Sequence, residues 1–352
     1  MSVALREFFL LRPDVVFLNH GSFGACPRPV FEAYQRWQRE LEGQPVEFLG
    51  RRFPGLMAEA RRALAEYVGA DPDDLVYVSN ATMGINIAAR SLPLAPGDEV
   101  LSTDQEYGAA ERTWRFLCER RGARFIQAEI PVPAASHEHV TDTLWAQVSP
   151  RTRVLFISHV TSPSALILPV VELVRRARAA GIISVIDGAH AVGQIPLNLD
   201  TLGADARAGL LALGAGPALS PDGPAWYAQM VSVPLPLSDG EGAQRRLRED
   251  FAIEVPIVAW RQMQLLRVSV QGYNTKSDIE ALFAATARIL EARAQGSPTA
   301  PRRVSGPRAE SSCHGVLRCD CPRARRHGQR RRRASGRPRA ARDRVRPPSP
   351  RA

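Results

Sequence analysis

Residues 182–216, IISVIDGAHAVGQIPLNLDTLGADARAGLLALGAG, contain the two features on which the interpretation of this chain depends. The first half is an apolar run that ends at Asp187 in a turn, a pattern typical of a buried strand. The second half loses its regular period: between Ala206 and Ala225 alanine, leucine, glycine and proline predominate. That stretch has no charged residue between Arg207 and Asp222. A predicted buried strand is therefore followed by a segment in which neither a helix nor a strand is predicted.

The sequence before this point alternates strand and helix patterns. DDLVYVSNATMGINIAARSL and EVLSTDQEYGAAERTWRFLCERRG each predict a strand, a turn and a helix, and TRVLFISHVTSP predicts another buried strand. PVFEAYQRWQRELEG, LMAEARRALAEYVGA and PVVELVRRARAAG have the apolar spacing of helices. Continuous apolar strands that alternate with helices indicate a parallel sheet covered on both faces. The fold class is therefore α/β.

A second, smaller unit is predicted after the irregular segment. AWYAQMVSVPLPL and LLRVSVQGYN predict strands, DGEGAQRRLREDF predicts a helix, and TKSDIEALFAATARILEARA predicts a closing helix. Thr275 and Asp278 have the spacing of a capping box at its start. We expect a large domain over residues 1–225, incomplete after about residue 206, and a small α+β domain over residues 226–296.

One segment carries the positive excess of the chain. The formal net charge is +10, but from Ser297 onward 17 arginines accompany three acids, so residues 297–352 carry +14 and residues 1–296 carry −4. This arginine- and proline-rich tail has few apolar anchors, and we expect it to be disordered. Arginine clusters bind phosphate backbones, but the tail lacks interleaved aromatic residues and a reader motif, so nucleic acid is not an expected partner.

Composition also limits the compartment and the metal chemistry. The sequence shows neither an apolar run of membrane-spanning length nor a signal-peptide pattern, and a cytoplasmic protein with no membrane partner is expected. Its five cysteines are an odd, scattered number, which argues against a disulfide framework. The spacing of Cys313, Cys319 and Cys321 fits no standard zinc site, so no metal is expected.

Three segments place functional side chains near predicted strand ends. SNATMGIN begins a helix after a turn, where free N–H groups and the helix dipole favour a phosphate, and Thr82 adds a hydroxyl. QEYGA offers Tyr107 after a strand, and IDGAH places Asp187 at a strand end with His190 three residues later. A phosphate cradle, an aromatic that stacks on a ring and a carboxylate for a ring nitrogen together predict a pyridoxal-phosphate site.

These motifs, in this order, resemble the class V aminotransferase family, the cysteine-desulfurase-like group of fold type I pyridoxal-phosphate enzymes. FLNHGSFG, NATMGIN, DQEYGA, SHVTSP, DGAHAVGQIPL, LGAD and RVSVQGYNT fit its isopenicillin N epimerase-like branch. The resemblance covers roughly residues 15–290. It implies a mostly parallel large domain with a small α+β domain, pyridoxal 5′-phosphate as cofactor, an amino acid as substrate, and a homodimer.

The resemblance also implies a role for individual residues. Ala81 and Thr82 would hold the phosphate, Tyr107 would stack on the pyridine ring, and Asp187 would pair with the ring nitrogen. His159 and His190 would lie near the phenolic oxygen of the cofactor. The remaining assignments concern the substrate: Arg267 would bind its carboxylate as a bidentate fork, and Asn19 and His20 would belong to the entrance segment.

The sequence departs from the family at the Schiff-base lysine. In the family this lysine follows the aspartate by a fixed interval, in a pattern like YxGNxHKW after GAD. Aligned on LGAD, this chain has Leu213 at the lysine position, and leucine cannot form an imine. The one lysine of the sequence, Lys276, follows YNT, where the family begins a surface helix. Only 13 residues separate Leu213 from Tyr227, where the match resumes, so a long stretch of the family is missing.

We therefore expect a catalytically defective member of the family that has no catalytic lysine. A frameshift soon after Asp205, an internal deletion and a second frameshift near Ser297 would together explain the irregular segment, the missing stretch and the tail. Epimerisation, transamination and desulfuration begin with the same lysine chemistry, so the motifs do not choose among them. Two alternatives stay open, a non-catalytic binding or interaction protein and a polyanion binder that acts through the basic tail.

Overall fold

The computed structural model describes residues 5–195, 219–221 and 223–294. Most of the irregular segment, including Leu213, and the basic tail lie outside the described residues. The helices are α1 (Arg28–Gly43), α2 (Pro45–Glu47), α3 (Phe53–Val68), α4 (Ala81–Ser91), α5 (Gly108–Arg121), α6 (His137–Trp145), α7 (Val170–Ala179), α8 (Gly240–Phe251) and α9 (Lys276–Ala294). A π-helical turn, Phe48–Arg52, joins α2 to α3, and 3-10 turns cover Leu5–Phe8 and Pro72–Asp74.

The strands form three sheets. They are β1 (Val16–Phe17), β2 (Glu99–Thr103), β3 (Arg124–Ala128), β4 (Thr152–Ser158), β5 (Ile183–Asp187), β6 (Met230–Leu235), β7 (Ile253–Glu254), β8 (Ile257–Trp260) and β9 (Met263–Ser269). The sheet orders are β3-β2-β4-β5, β6-β9-β8 and the pair β1-β7. Within the described residues, every helix is too short or too polar to cross a bilayer.

The four-stranded sheet is parallel throughout, as its continuous apolar strands predict. Successive side chains of β4 point to opposite faces. Phe156 packs with Trp114 of α5 on one face, whereas Leu155 packs with Leu144 of α6 and Leu173 of α7 on the other. All five of these side chains are at most 1% exposed. Helices therefore cover both faces of the sheet, and the predicted α/β architecture is confirmed.

One predicted strand is absent. Residues 75–78 of DDLVYVS are not part of any sheet, and the Val76 side chain is 81% exposed. A strand needs a neighbour to accept and donate its backbone hydrogen bonds. In the described part of the chain the sheet ends at β5, where Ile183 is 46% exposed, and no further strand pairs with that edge. The apolar pattern of these residues therefore predicts a strand for which the described residues offer no partner.

The smaller sheet is antiparallel, and α8 and α9 pack against it. The predicted capping box at the start of α9 is present: the Thr275 amide donates to Asp278 Oδ2 at 2.9 Å, and the Asp278 amide donates to Thr275 Oγ1 at 3.3 Å. The short β1 pairs with β7, Val16 opposite Ile253, and this pairing fixes the N-terminal segment beside the smaller sheet.

A partly exposed ion pair connects the large parallel sheet to the smaller antiparallel sheet. The guanidinium of Arg261, in the turn between β8 and β9, donates to Asp104 Oδ2 from Nε at 2.9 Å and from Nη2 at 2.6 Å. The indole N–H of Trp260 donates to the backbone oxygen of Asp104 at 3.1 Å. Asp104 follows β2 directly, so these bonds hold the β8–β9 turn against the carboxyl end of the large sheet.

Substituting Arg261→Gln removes the charged contact to Asp104, and we expect the free energy of unfolding to fall by about 1–3 kcal/mol. Arg246→Gln is the matched control, because Arg246 pairs with Asp250 on the helix surface at 3.2 Å and such pairs contribute about 0.3–0.5 kcal/mol. Urea unfolding of both variants measures the difference. Equal losses in the two variants would contradict the connection between the sheets.

Val76→Arg tests whether residues 75–78 lie outside a covered sheet. An arginine at a side chain that is 81% exposed is expected to change the free energy of unfolding by no more than about 0.5 kcal/mol. The comparison variant is Phe156→Ala, in a fully buried strand, with an expected loss of about 3–5 kcal/mol. A large loss on Val76→Arg would show that residues 75–78 belong to a covered sheet.

Candidate active site

Asp187 is the central acid of the site, and its position follows from the parallel sheet. It is the last residue of β5, 8% exposed, and it lies in register with Ser158 at the end of β4. Its Oδ1 accepts the amide N–H of Ala189 at 2.9 Å, and its other carboxylate oxygen receives no hydrogen bond from the described residues. The carboxyl end of the sheet thus presents one carboxylate oxygen that is available to a ligand N–H.

His159 and His190 flank this acid as neutral rings. The amide of His159 donates to the backbone oxygen of Asp187 at 2.9 Å. Burial lowers the pKa of His159, and burial together with the positive charge of Arg267 lowers the pKa of His190 to about 4. Both imidazoles are therefore uncharged at neutral pH, so each offers one N–H donor and one acceptor nitrogen.

The start of α4 has the predicted form of an anion cradle. Asn80 is the N-cap, and its side-chain oxygen accepts the amide of Met83 at 2.9 Å. Ala81 and Thr82 occupy the first two helical positions, where backbone N–H groups have no partner within the helix. The helix contacts β5, and Asn86 donates to Thr113 of α5 at 3.1 Å. Tyr107 is the N-cap residue that directly precedes α5, and it is 49% exposed.

Arg267 is a buried cation whose bonds to the described residues involve only neutral groups. It lies on β9 and is 6% exposed. Its Nη1 donates to the backbone oxygen of Ser162 at 2.5 Å, and its Nη2 donates to Ser22 Oγ at 2.6 Å. Its Nε is buried and has no hydrogen-bond partner among the described residues, and burial lowers the pKa of the guanidinium. A buried guanidinium of this kind favours an anionic ligand.

The N-terminal segment closes the same side of the site. Asn19 bridges to Ser269 of β9, and its side-chain oxygen is buried without a partner among the described residues. His20 Nδ1 lies 2.8 Å from the hydroxyl of Tyr273, and burial lowers the pKa of His20. Asn19 and Arg267 therefore lie on neighbouring elements, and each has a buried polar atom without a hydrogen-bond partner among the described residues.

One buried acid was missed by the sequence analysis. Glu106 is 7% exposed and directly precedes Tyr107. The motif DQEYGA was interpreted for its aromatic residue alone. Glu106 could have been identified because it is a carboxylate in a segment that directly follows a predicted buried strand. Side chains in such a segment face the site.

The one lysine of the sequence lies away from these residues. Lys276 is the first residue of α9, its side chain is 85% exposed, and its Nζ lies 3.9 Å from Glu280. Leu213, the predicted position of the lysine in the alignment, lies outside the described residues. The described side chains therefore fit the non-covalent contacts of pyridoxal phosphate through Asp187 and the start of α4. They do not supply an amine for its covalent attachment.

The chain is similar in sequence to several known proteins. The relatives include isopenicillin N epimerase from Streptomyces clavuligerus, 40% identical over 204 residues, which are 58% of this chain and 51% of the epimerase. Putative L-cysteine desulfhydrase 1 from Oryza sativa subsp. japonica is 33% identical over 214 residues, 56% of this chain and 44% of that protein. The chain thus spans about half the length of the relatives that it matches.

Solved structures show the same fold at low sequence identity. A C-DES mutant with glycine covalently linked to its PLP cofactor matches with a TM-score of 0.71 at 18% identity, covering 80% of this chain and 98% of that chain. The cysteine desulfurase CsdA from Escherichia coli matches with a TM-score of 0.66 at 17% identity, covering 81% of this chain and 97% of that chain. The fold is that of the fold type I pyridoxal-phosphate enzymes.

The family model of class V aminotransferases matches residues 16–223, more than half of the sequence. Pyridoxal phosphate is the cofactor of this family, and the epimerase and desulfhydrase relatives indicate the branch. The resemblance inferred from the motifs is confirmed, and the chain belongs to the class V aminotransferase family.

Proposed function

We propose that this chain binds pyridoxal phosphate and the carboxylate of an amino acid non-covalently and does not carry out the catalysis of its family. The observation that supports this most strongly is the exposed position of Lys276, the one lysine of the sequence. Pyridoxal phosphate, when attached to a lysine, supplies an electron sink for reactions at the α-carbon of an amino acid. An enzyme of this kind also uses the freed lysine to move the α-proton.

The remaining residues have binding roles in this proposal. The carboxylate of Asp187 accepts a ring N–H, the amides of Ala81 and Thr82 hold the phosphate, and Tyr107 stacks on the ring. The neutral imidazoles of His159 and His190 place hydrogen-bonding nitrogens beside the ring without adding charge. None of these contacts requires a covalent bond, so in this proposal the loss of the lysine weakens retention of the cofactor without abolishing its binding.

Arg267 supports the second part of the proposal, the binding of an amino-acid carboxylate. Its buried Nε–H has no partner among the described residues, and a guanidinium forms two parallel hydrogen bonds with a carboxylate. Asn19 adds a buried carbonyl oxygen on the neighbouring segment, which suits an ammonium donor. These groups support an α-amino acid as the second ligand.

The homodimer that the resemblance implies also belongs to the proposal, together with the cytoplasmic location expected from the sequence pattern. Helix α1 has no buried residue, although it carries a regular apolar face. Val30, Tyr34 and Trp37 on this face are 57%, 58% and 42% exposed. An apolar helix face of this kind supports contact with a second copy of the chain.

Pyridoxal phosphate binding can be measured by equilibrium dialysis on the parent chain, Asp187→Ala and Lys276→Arg. We expect saturable and reversible binding by the parent chain. Asp187→Ala should weaken it about tenfold or more, because a charge-assisted hydrogen bond is worth about 1.5–3 kcal/mol. Lys276→Arg should bind as the parent does. The proposal fails if Lys276→Arg abolishes binding or if Asp187→Ala leaves the affinity unchanged.

The role of Arg267 is tested with two stable probes. Pyridoxamine phosphate carries the ring and phosphate alone, whereas phosphopyridoxyl-L-alanine adds an amino-acid carboxylate. We expect the parent to bind the second probe about tenfold more tightly, and Arg267→Leu to remove this difference while its affinity for pyridoxamine phosphate stays within about twofold. Arg246→Leu on the surface is the control. If Arg267→Leu keeps the preference, the carboxylate lies elsewhere.

A further inference from the structure

Glu106 is a buried carboxylate that accepts three hydrogen bonds. It is 7% exposed, in the turn between β2 and α5. Its Oε1 accepts the hydroxyl of Thr103 at 2.6 Å. Its Oε2 accepts both the amide and the hydroxyl of Ser158, at 3.0 and 2.6 Å. A single side chain thus satisfies donors from two different strands.

These bonds join the strand ends that carry the candidate site. Thr103 is the last residue of β2, and Ser158 is the last residue of β4. Ser158 lies in register with Asp187 on β5, and Tyr107 follows Glu106 directly in the chain. The carboxylate therefore lies between the residue assigned to the ring face and the residue assigned to the ring nitrogen.

The charge environment of Glu106 agrees with a functional position. Burial, with a further contribution from the negative charge of Asp187, raises the pKa of Glu106 to about 7. The Thr103 and Ser158 hydroxyls act in the opposite direction and are neutral groups. Asp187 is the charged side chain that acts on Glu106 among the described residues. The negative charge of Asp187 thus adds to the effect of burial on Glu106.

We propose that Glu106 is a positioning residue of the cofactor pocket, whose carboxyl fixes the ends of β2 and β4 relative to each other and thereby fixes Tyr107 and Asp187 around the ring. This inference rests on the proposed function. Glu106 acts through its neighbours, because both of its carboxyl oxygens already accept hydrogen bonds from Thr103 or Ser158. Its removal should disturb both ligand contacts at once, although Glu106 itself touches neither ring nor phosphate.

Ser102 offers a matched control for a merely structural role. Its hydroxyl donates to the backbone oxygen of Phe156 at 2.8 Å, so it also joins β2 to β4 through a fully buried hydrogen bond. It lies one residue before Thr103, and its hydroxyl hydrogen bond within the described residues goes to β4 and not to the turn that carries Tyr107. Ser102→Ala therefore removes a comparable bond between the same strands and leaves the turn intact.

The pH profile of stability distinguishes a buried acid from a neutral strand contact. Buried histidines with a lowered pKa, such as His159 and His190, make the free energy of unfolding rise with pH in this range. Glu106 acts against them: between about pH 4.5 and 7 the folded chain holds up to one proton more on Glu106 than the unfolded chain does, so Glu106 contributes a slope that falls as the pH rises. Glu106→Gln should remove this slope, because its amide oxygen accepts from Ser158 and its NH2 donates to Thr103. Ser102→Ala should keep the slope. Urea unfolding from pH 5 to 8 measures it, and an unchanged slope in Glu106→Gln overturns the proposal.

The positioning role is measured with pyridoxamine phosphate. We expect Glu106→Ala to weaken its binding about tenfold, Glu106→Gln by no more than about threefold, and Ser102→Ala by no more than about twofold. Equal weakening by Glu106→Ala and Ser102→Ala, or no weakening by Glu106→Ala, overturns the positioning role.

If the parent chain binds no pyridoxamine phosphate, the proposed function alone is contradicted. Hydrogen exchange then tests the role of Glu106 separately. Faster exchange over residues 104–108 and 187–190 in Glu106→Ala but not in Ser102→Ala then supports Glu106, and equal exchange in both variants overturns it.

Discussion

The parallel pairing of β4 with β5 is the constraint on which the candidate site depends. It sets Ser158 opposite Asp187 at the carboxyl ends of both strands. Strands of a parallel sheet end at the same edge, so the side chains that follow them meet even though they are far apart in sequence. Glu106, His159 and Asp187 come from three different segments, and each is placed by the end of a strand. The parallel direction of the strands thus brings the candidate site residues together.

The buried charged groups of the candidate site differ in what compensates them. Asp187, Glu106 and Arg267 are all less than 10% exposed, and burial of charged groups is costly unless a partner or ligand compensates. Thr103 and Ser158 compensate Glu106, whereas in the proposed function a ligand compensates Asp187 and Arg267. The amine required for covalent attachment is different, because Lys276 points to solvent on the first turn of α9. The chain spans about half the length of its relatives, and its sheet ends at β5 within the described residues.

The sequence predicted the parts of the fold that depend on local pattern. The apolar runs of β2, β4 and β5, the helical spacing of α1 and the capping box of Thr275 and Asp278 are local signals, and the structure contains each of them. The strand predicted around Val76 is absent because a strand must pair with a neighbouring strand. The local sequence of residues 75–78 does not show whether such a neighbour is present. Glu106 was missed for a similar reason: its importance arises from Ser158, 52 positions away. The Nε of Arg267, which has no hydrogen-bond partner within the described ranges, is likewise a property of packing that no motif predicts.

The central claim is that no amine of this chain serves as a covalent anchor in the pocket. It is tested most directly by incubating the native chain with pyridoxal phosphate, reducing it with borohydride and mapping the modified peptides by mass. The account predicts that Lys276 is labelled no faster in the native chain than in the urea-unfolded chain, and that Asp187→Ala leaves the labelling unchanged. Stoichiometric labelling of Lys276 in the native chain alone, lost on Asp187→Ala, would contradict it.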